Sequence, residues 1–103
     1  MRVIAVRGEL DLNTAPQLEK SVDGALTAGS AALAIDLSGC EFIDSTGIAL
    51  IVRAWQQLDG DGKRRFALCG LSHQVQRLFS ITGLEASIPI HSTLDEAVAD
   101  LAG

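Results

Sequence analysis

Aromatic residues and cysteines are scarce in this sequence, and each shortage excludes a class of protein. There is no Tyr, one Trp and only two Cys among 103 residues, so the core must be built from aliphatic side chains. Cys40 and Cys69 are too few for a disulfide framework, and their spacing matches no zinc motif. A disulfide between them would require Cα atoms within about 7 Å. We expect two buried or half-buried free thiols instead.

Basic and long apolar runs are also missing. The formal net charge is -5, which argues against binding to nucleic acid or to an anionic membrane surface. No apolar stretch approaches the roughly 20 residues of a membrane span. The first six residues run directly into a strand pattern rather than a signal peptide. We expect one cytoplasmic domain over residues 1–103, with no metal and no cofactor.

What the sequence does contain is an alternation of strand and helix patterns. Short apolar runs predict strands at 3–6, 32–37, 66–69 and 88–90. A helical spacing of apolar residues follows each run. Expected helix starts are Thr14, with Gln17 completing a capping box, then Ser45, Ser72, and Thr93 with Glu96. Expected stops are Gly29, the turn at 59–62 and Gly83. Pro89 places the last strand at an edge. The pattern predicts an α/β fold with a mostly parallel four-stranded sheet and four helices.

Residues 35–58 are the centre of this pattern. An apolar strand is followed by a short turn, and Asp44-Ser45-Thr46-Gly47 opens a helix. The helix presents one apolar face. The predicted core joins the strands to two helices through Ile35, Leu37, Ile48, Ile51, Val52, Leu68, Leu78 and Phe79. Ser45 is thereby placed at a helix N-terminus, where a hydroxyl can cap the helix and a negative charge is favoured. Ser45 is therefore either a simple cap or a site at which a phosphate would be tolerated.

Parallel strands bring several loops to one end of the sheet. Residues 8–13, 39–46 and 70–72 all follow strands, and active groups in such sheets gather at the carboxyl ends. We therefore expect Asp11, Asp44 and Ser45 to be neighbours.

Four stretches carry a family resemblance. They are residues 8–11 with Thr14 and Ala15, residues 37–47, residues 77–79 and residues 81–84. In order and separation they resemble STAS domain proteins of the anti-sigma factor antagonist family. One departure is that the family's usual first strand, which pairs with the strand at 3–6, is missing here. The sheet edge is then either bare or covered by a partner or a second copy.

The resemblance implies a regulatory switch and not an enzyme. In the family, the Ser after the Asp is phosphorylated by a serine kinase that is also an anti-sigma factor; here that residue is Ser45. The unphosphorylated protein binds the kinase and so releases a sigma factor. The implied partner surface consists of Asp11, Asn13, Asp44, Ser45, Thr46 and Gly47. A PP2C-type phosphatase is the implied second partner, and a homodimer is compatible with the family.

Three other functions fit the residue pattern less well, and one alternative remains. A hydrolase using Ser45 would need a Gly-x-Ser-x-Gly elbow and a nearby His, and neither His73 nor His91 ends a strand facing it. A phosphoaspartate receiver with Asp36 as acceptor would need an acidic pair, and only Asp11 is available. No glycine-rich loop supports nucleotide binding. The remaining alternative is a STAS module of a stress-sensing scaffold or a transporter complex, with no sigma-factor role.

Overall fold

A parallel sheet with helices on both faces forms the body of the molecule. The structure is a computed structural model and describes residues 1–59 and 65–102. Within them the strands are β1 (Arg2–Leu10), β2 (Ala32–Ile43), β3 (Arg65–Cys69) and β4 (Ile90–His91). The helices are α1 (Ala15–Thr27), α2 (Ser45–Asp59), α3 (His73–Ile81) and α4 (Leu94–Ala102). A 3-10 turn spans Leu84–Ala86. The predicted α/β fold is confirmed.

The strands lie side by side in chain order, β1-β2-β3-β4, and every pair is parallel. The strand after Pro89 is at an edge, as predicted, although it is only two residues long and begins after the proline. β1 forms the opposite edge of the sheet in the part of the chain described. What covers that edge stays a prediction. The turn expected at 59–62 falls largely on residues outside those described.

The two faces of the sheet carry side chains of different size. Leu33, Ile35 and Leu37 of β2 join a large cluster with residues of α1, α2 and α3. The intervening Ala32 and Ala34 pack with Ala97 and Leu101 of α4 on the other face. A strand buried on both faces is what the continuous apolar run predicts. Of the eight predicted core residues, Ile48, Val52 and Leu78 are partly buried and the other five are buried, all in the larger cluster.

The second strand is longer than predicted. The expected turn after Leu37 is part of β2, which continues to Ile43 alongside β1. The pairing skips one residue of β2 between Asp36 and Gly39 and another between Cys40 and Phe42. These irregularities let a strand with turn-like residues keep its partner while it bends. The extension carries β2 to the helix start at Ser45.

Both cysteines are buried free thiols, as expected. Cys40 lies in the larger cluster and Cys69 in the cluster under α4. Cys69 is opposite Asp36 in the sheet, four residues before Cys40, a separation of roughly 13 Å along the strand. A disulfide is therefore out of reach. Burial raises the pKa of the Cys40 thiol. It also raises the pKa of Cys69 to about 11, with a smaller contribution from the charge of Asp36.

Candidate functional site

The carboxyl ends of β1 and β2 meet at one point. Leu10 is opposite Ile43 in the parallel pair, and the Asp44 amide donates to the Leu10 carbonyl at 3.1 Å. The loop that leads into α1 and the first residues of α2 are thereby adjacent. This hydrogen bond brings Asp11, Asp44 and Ser45 close together along the two strand ends, as expected.

No described helix is long and apolar enough to span a membrane.

The loop before α1 is tied together by Asp11. Its Oδ1 accepts from the amides of Asn13 at 2.9 Å and Thr14 at 3.1 Å. The Thr14 hydroxyl donates to the Glu9 carbonyl at 2.7 Å and accepts from the Asp11 amide at 2.9 Å. These hydrogen bonds tie the side chains of Asp11 and Thr14 to the backbone of the loop. Asn13 is exposed at its tip.

The predicted capping box of α1 is wrong. Thr14 makes no side-chain capping hydrogen bond and has φ -101° and ψ -21°, whereas a capping residue is normally extended. Its hydroxyl is directed back to Glu9 instead, and Gln17 interacts with Thr14 only through the backbone. In contrast, Ser72 caps α3 and Thr93 caps α4 as predicted.

The start of α2 also corrects an expectation. Asp44, not Ser45, caps the helix: its Oδ1 accepts from the Gly47 amide at 3.0 Å, and its carbonyl accepts from Ile48 at 3.0 Å. Ser45 is the first helical residue, and its side chain is exposed. Its hydroxyl makes no hydrogen bond to another described residue. Thr46, the next hydroxyl, is half-buried. Of the two hydroxyls, the one at Ser45 is the more exposed.

Gly47 sets how closely α2 approaches the strands. A Cβ placed on Gly47 would lie 2.8 Å from the Leu10 carbonyl oxygen and 2.8 Å from side-chain carbons of Leu10 and Ile43. Distances below 3.0 Å require something to move, and one of these atoms is backbone. Glycine is thus the residue that lets the first turn of α2 rest on both strand ends. The position of Ser45 depends on that contact.

The surface around Ser45 is acidic. Glu9 and Glu41 are exposed, and Asp11 and Asp44 are half-buried. The sequence contains no Lys or Arg at residues 8–19 or 37–52. The helix N-terminus itself has the opposite polarity, because its first amides and the helix dipole favour an anion. A hydroxyl at this position can accept a phosphoryl group without destabilising the helix, although the group would add to a negative surface.

The structure does not bring together the groups that the rival functions require. His91 lies on β4, two strands from β2, and its Nε2 is 3.1 Å from Asp100 Oδ2. Asp36 accepts from the Ser38 amide at 3.0 Å. Among residues 1–59 and 65–102, no group of three or more His, Cys, Asp or Glu could hold a metal ion. Among these residues neither His73 nor His91 hydrogen-bonds to Ser45, and Asp36 belongs to no such acidic group.

Two exposed apolar residues near the site were missed by the sequence interpretation. Leu12 is 71% exposed and Phe42 is 51% exposed. Leu12 interrupts a polar loop, which is a signal that the sequence contained. Phe42 looked like part of an apolar run, and only the bend of β2 reveals that its side chain reaches solvent.

The chain is similar in sequence and in fold to known proteins that are named as anti-sigma factor antagonists. Residues 1–97 match the STAS domain family model. The anti-sigma-B factor antagonist of Staphylococcus aureus (strain NCTC 8325 / PS 47) is 35% identical over 82 residues, which cover 80% of this chain and 75% of that protein. The crystal structure of an anti-sigma factor antagonist from Mycobacterium paratuberculosis has a TM-score of 0.90 at 31% identity, covering 98% of this chain and 85% of the other.

A structural neighbour of lower sequence identity is named as a transporter family protein instead. The sulfate transporter family protein from Wolinella succinogenes superposes with a TM-score of 0.78 at 14% identity, covering 98% of this chain and 84% of that one. At that identity the likeness extends to the fold alone.

Proposed function

This chain belongs to the STAS domain family, and we propose that it is an anti-sigma factor antagonist controlled by phosphorylation of Ser45. The observation that carries the proposal is the state of the Ser45 hydroxyl. It is exposed at the N-terminus of α2, and Asp44 performs the capping that would otherwise occupy it. The antagonist names of the Staphylococcus and Mycobacterium relatives support the role.

In the proposed switch, the unphosphorylated protein binds a serine kinase that is also an anti-sigma factor. The surface that meets the kinase is formed by Asp11, Asn13, Asp44, Ser45 and Thr46, with Gly47 holding α2 against the strand ends. Binding occupies the kinase, and the sigma factor is released. The antagonist itself performs no chemistry, because the kinase supplies ATP and the groups that transfer the phosphoryl group.

Phosphorylation ends the interaction through charge. A phosphoserine adds about -1.5 to -2 charges at pH 7, next to the carboxylates of Asp11 and Asp44. Like charges brought together in an interface cost several kcal/mol, which is enough to dissociate a micromolar complex. The fold persists because the new charge lies at the favourable end of the α2 dipole. A phosphatase of the PP2C type would restore the binding form, and an ATP-dependent switch of this kind operates in the cytoplasm.

The proposal predicts a single phosphorylation site. The test incubates the protein with ATP and, in turn, each purified serine kinase of the anti-sigma type from the source genome. We expect one of these kinases to label Ser45, with the labelled residue located by mass spectrometry. Ser45→Ala should abolish labelling and keep kinase affinity, because the hydroxyl contributes little contact area. Ser45→Asp should weaken binding, although less than phosphate does, since it adds a single charge.

Thr46→Ala is the matched control, since it removes the neighbouring hydroxyl and should leave labelling intact. Label on Thr46 with Ser45 unmodified would refute the assignment of the acceptor. Equal kinase affinity for phosphorylated and unmodified protein would refute the switch. If none of the kinases binds or labels the chain and it copurifies with a transporter or a stress-sensing scaffold, the antagonist role itself would be wrong.

A further inference from the structure

The end of the sheet that carries Ser45 exposes more apolar surface than the fold requires. Leu12 and Phe42 belong to the small set of large apolar side chains exposed to solvent, with 71% and 51% of their surfaces accessible. Neither belongs to the clusters of buried residues. The adjacent residues Leu10 and Ile43 are 1% and 2% exposed and supply the packing at this point. The core is therefore complete without Leu12 and Phe42.

Leu12 and Phe42 both lie within two residues of the strand ends that precede Ser45. The hydrogen bond from Asp44 to the Leu10 carbonyl joins the two strand ends. Leu12 lies two residues beyond Leu10, and Phe42 lies two residues before Asp44. Two residues span at most about 7 Å of extended chain, so each apolar side chain starts within that distance of the joined pair. Ser45 directly follows Asp44, so it starts from the same joined strand ends.

Acidic residues lie next to this apolar pair along the chain, and the nearest basic residue of β1 is Arg7, opposite Gly39. Glu9 is opposite Phe42 in the sheet, Glu41 precedes it, and Asp11 precedes Leu12. Stretches 8–19 and 37–52 contain no basic residue. An apolar centre with a charged rim is the usual anatomy of a protein interface, and complementary charge on the partner speeds and orients its docking.

We propose that Leu12 and Phe42 are the apolar anchors by which this site binds its kinase, and that the kinase surface they enter is apolar at its centre and rich in Arg or Lys at its rim. This rests on the proposed function, and it names the chemistry of the partner at that same site. A few residues near the centre of an interface carry most of its binding energy, while the surrounding contacts contribute little. Ser45 is thus the regulated position, and the apolar pair supplies the affinity.

Charge decides between a kinase and a second copy of this chain as the occupant. Two copies docked through this surface would bring two acidic rims together, with Glu9, Asp11, Glu41 and Asp44 on each side. Like-charge juxtaposition is costly and disfavours such a dimer. A partner with a basic rim would instead be attracted to these carboxylates. Phosphorylation of Ser45 then adds negative charge to this surface beyond what the basic groups of the partner's rim can neutralise.

The test measures binding of the purified kinase that labels Ser45 to Leu12→Ala and Phe42→Ala. We expect each variant to bind at least 10-fold more weakly, with KM for phosphorylation raised and kcat unchanged, because the kinase and Ser45 are intact once bound. Ile81→Ala is the matched control: Ile81 is 72% exposed on α3, away from the site. Its affinity should stay within twofold. Thermal melts of all three variants should coincide with wild type, since none of the side chains is buried.

A second arm tests the rim. Glu41→Lys should weaken kinase binding and reduce its dependence on salt, because it reverses one rim charge. Asp23→Lys makes the same charge change on the exposed side of α1, about 12 Å along the helix from its first residue, Ala15. This control should have little effect on kinase binding or on its dependence on salt.

The outcomes separate this proposal from the one on which it rests. Labelling of Ser45 together with wild-type affinity of Leu12→Ala and Phe42→Ala would overturn the anchors and leave the switch standing. Altered self-association of Phe42→Ala in sedimentation, with kinase affinity unchanged, would assign the surface to a second copy and overturn the proposal. Absence of kinase binding by the wild-type chain would overturn both.

Discussion

Two helices start at the same edge of the sheet, and their first turns use side-chain hydroxyls in opposite ways. Before α1, the Thr14 hydroxyl is held between the Glu9 carbonyl and the Asp11 amide at 2.7 and 2.9 Å. At α2, the Ser45 hydroxyl is exposed and Asp44 alone caps the helix. At α2 an aspartate performs the capping that a hydroxyl could have performed, whereas Asp11 accepts from amides of the loop that precedes α1. The difference is that Thr14 is then used by the fold, whereas Ser45 is left free.

This comparison gives a physical criterion for recognising an acceptor residue. A hydroxyl that maintains a loop cannot be modified without breaking the hydrogen bonds it makes. A hydroxyl released from capping can gain a phosphate while the helix keeps its cap. Thr14 and Ser45 are equally plausible as polar residues before an apolar helix, and only their hydrogen bonds separate a structural role from a regulatory one.

The largest effect that sharpens the comparison concerns one glycine in each helix. Gly47→Ala in α2 should cost about 1–3 kcal/mol, because the new Cβ overlaps the Leu10 carbonyl and two side chains and overpacking has that typical cost. Gly24→Ala in α1 has no atom within 4 Å of its new Cβ, and should stabilise by about 0.5–1 kcal/mol through lower chain entropy. Urea unfolding of both variants measures the difference. Equal shifts of the same sign would show that α2 does not rest on the strand ends.

The next effect compares the two aspartates. Asp11 Oδ1 accepts from two backbone amides, and Asp44 Oδ1 accepts from one. We expect Asp11→Ala to lower the free energy of unfolding by about 1–2 kcal/mol and Asp44→Ala by about 1 kcal/mol. The corresponding Asn variants keep an acceptor oxygen and should lose less. A larger loss for Asp44 than for Asp11 would contradict the assignment of the more tightly bonded loop to α1.

The smallest effect is expected at the free hydroxyl. Thr14→Val removes a hydroxyl with two short hydrogen bonds and should cost about 1 kcal/mol. Ser45→Ala removes an exposed hydroxyl that caps nothing and should change the free energy of unfolding by less than about 0.5 kcal/mol. Paired denaturation curves with equal slopes provide the measurement. A cost above about 1 kcal/mol for Ser45→Ala would mean that the hydroxyl is structural after all.

The sequence was sufficient for the elements that depend on local patterns. The start of α2 at Ser45, the caps Ser72 and Thr93, and the aliphatic faces of the helices were all predicted, since each depends on residues within one or two turns. The proximity of Asp11 and Asp44 was also predicted, because the carboxyl ends of parallel strands lie at the same end of the sheet.

The features that the sequence did not reveal depend on contacts between distant residues. β2 continues past Ser38 and Gly39 because β1 pairs with it, and turn-like residues concealed that pairing. Asp44 outcompetes Ser45 for the cap, and Asp11 draws the Thr14 hydroxyl away from α1. The last two outcomes are each a competition between polar groups for one position, which composition and spacing cannot decide. The exposure of Phe42 follows from the bend of β2 and shares this origin.

The order of the strands has a consequence for what this protein can recognise. In many open α/β sheets the strand order reverses, and the loops on either side of the reversal diverge to leave a crevice in which nucleotides and other small ligands bind. Here the order increases steadily from β1 to β4, and α1, α2 and α3 all pack on one face. Among the described strands no reversal separates the loops after β1 and β2, and the Asp44–Leu10 hydrogen bond holds them together. Loops joined in this way, without a switch-point crevice, suit the proposed contact with another protein, which would read a single added phosphate across a broad area.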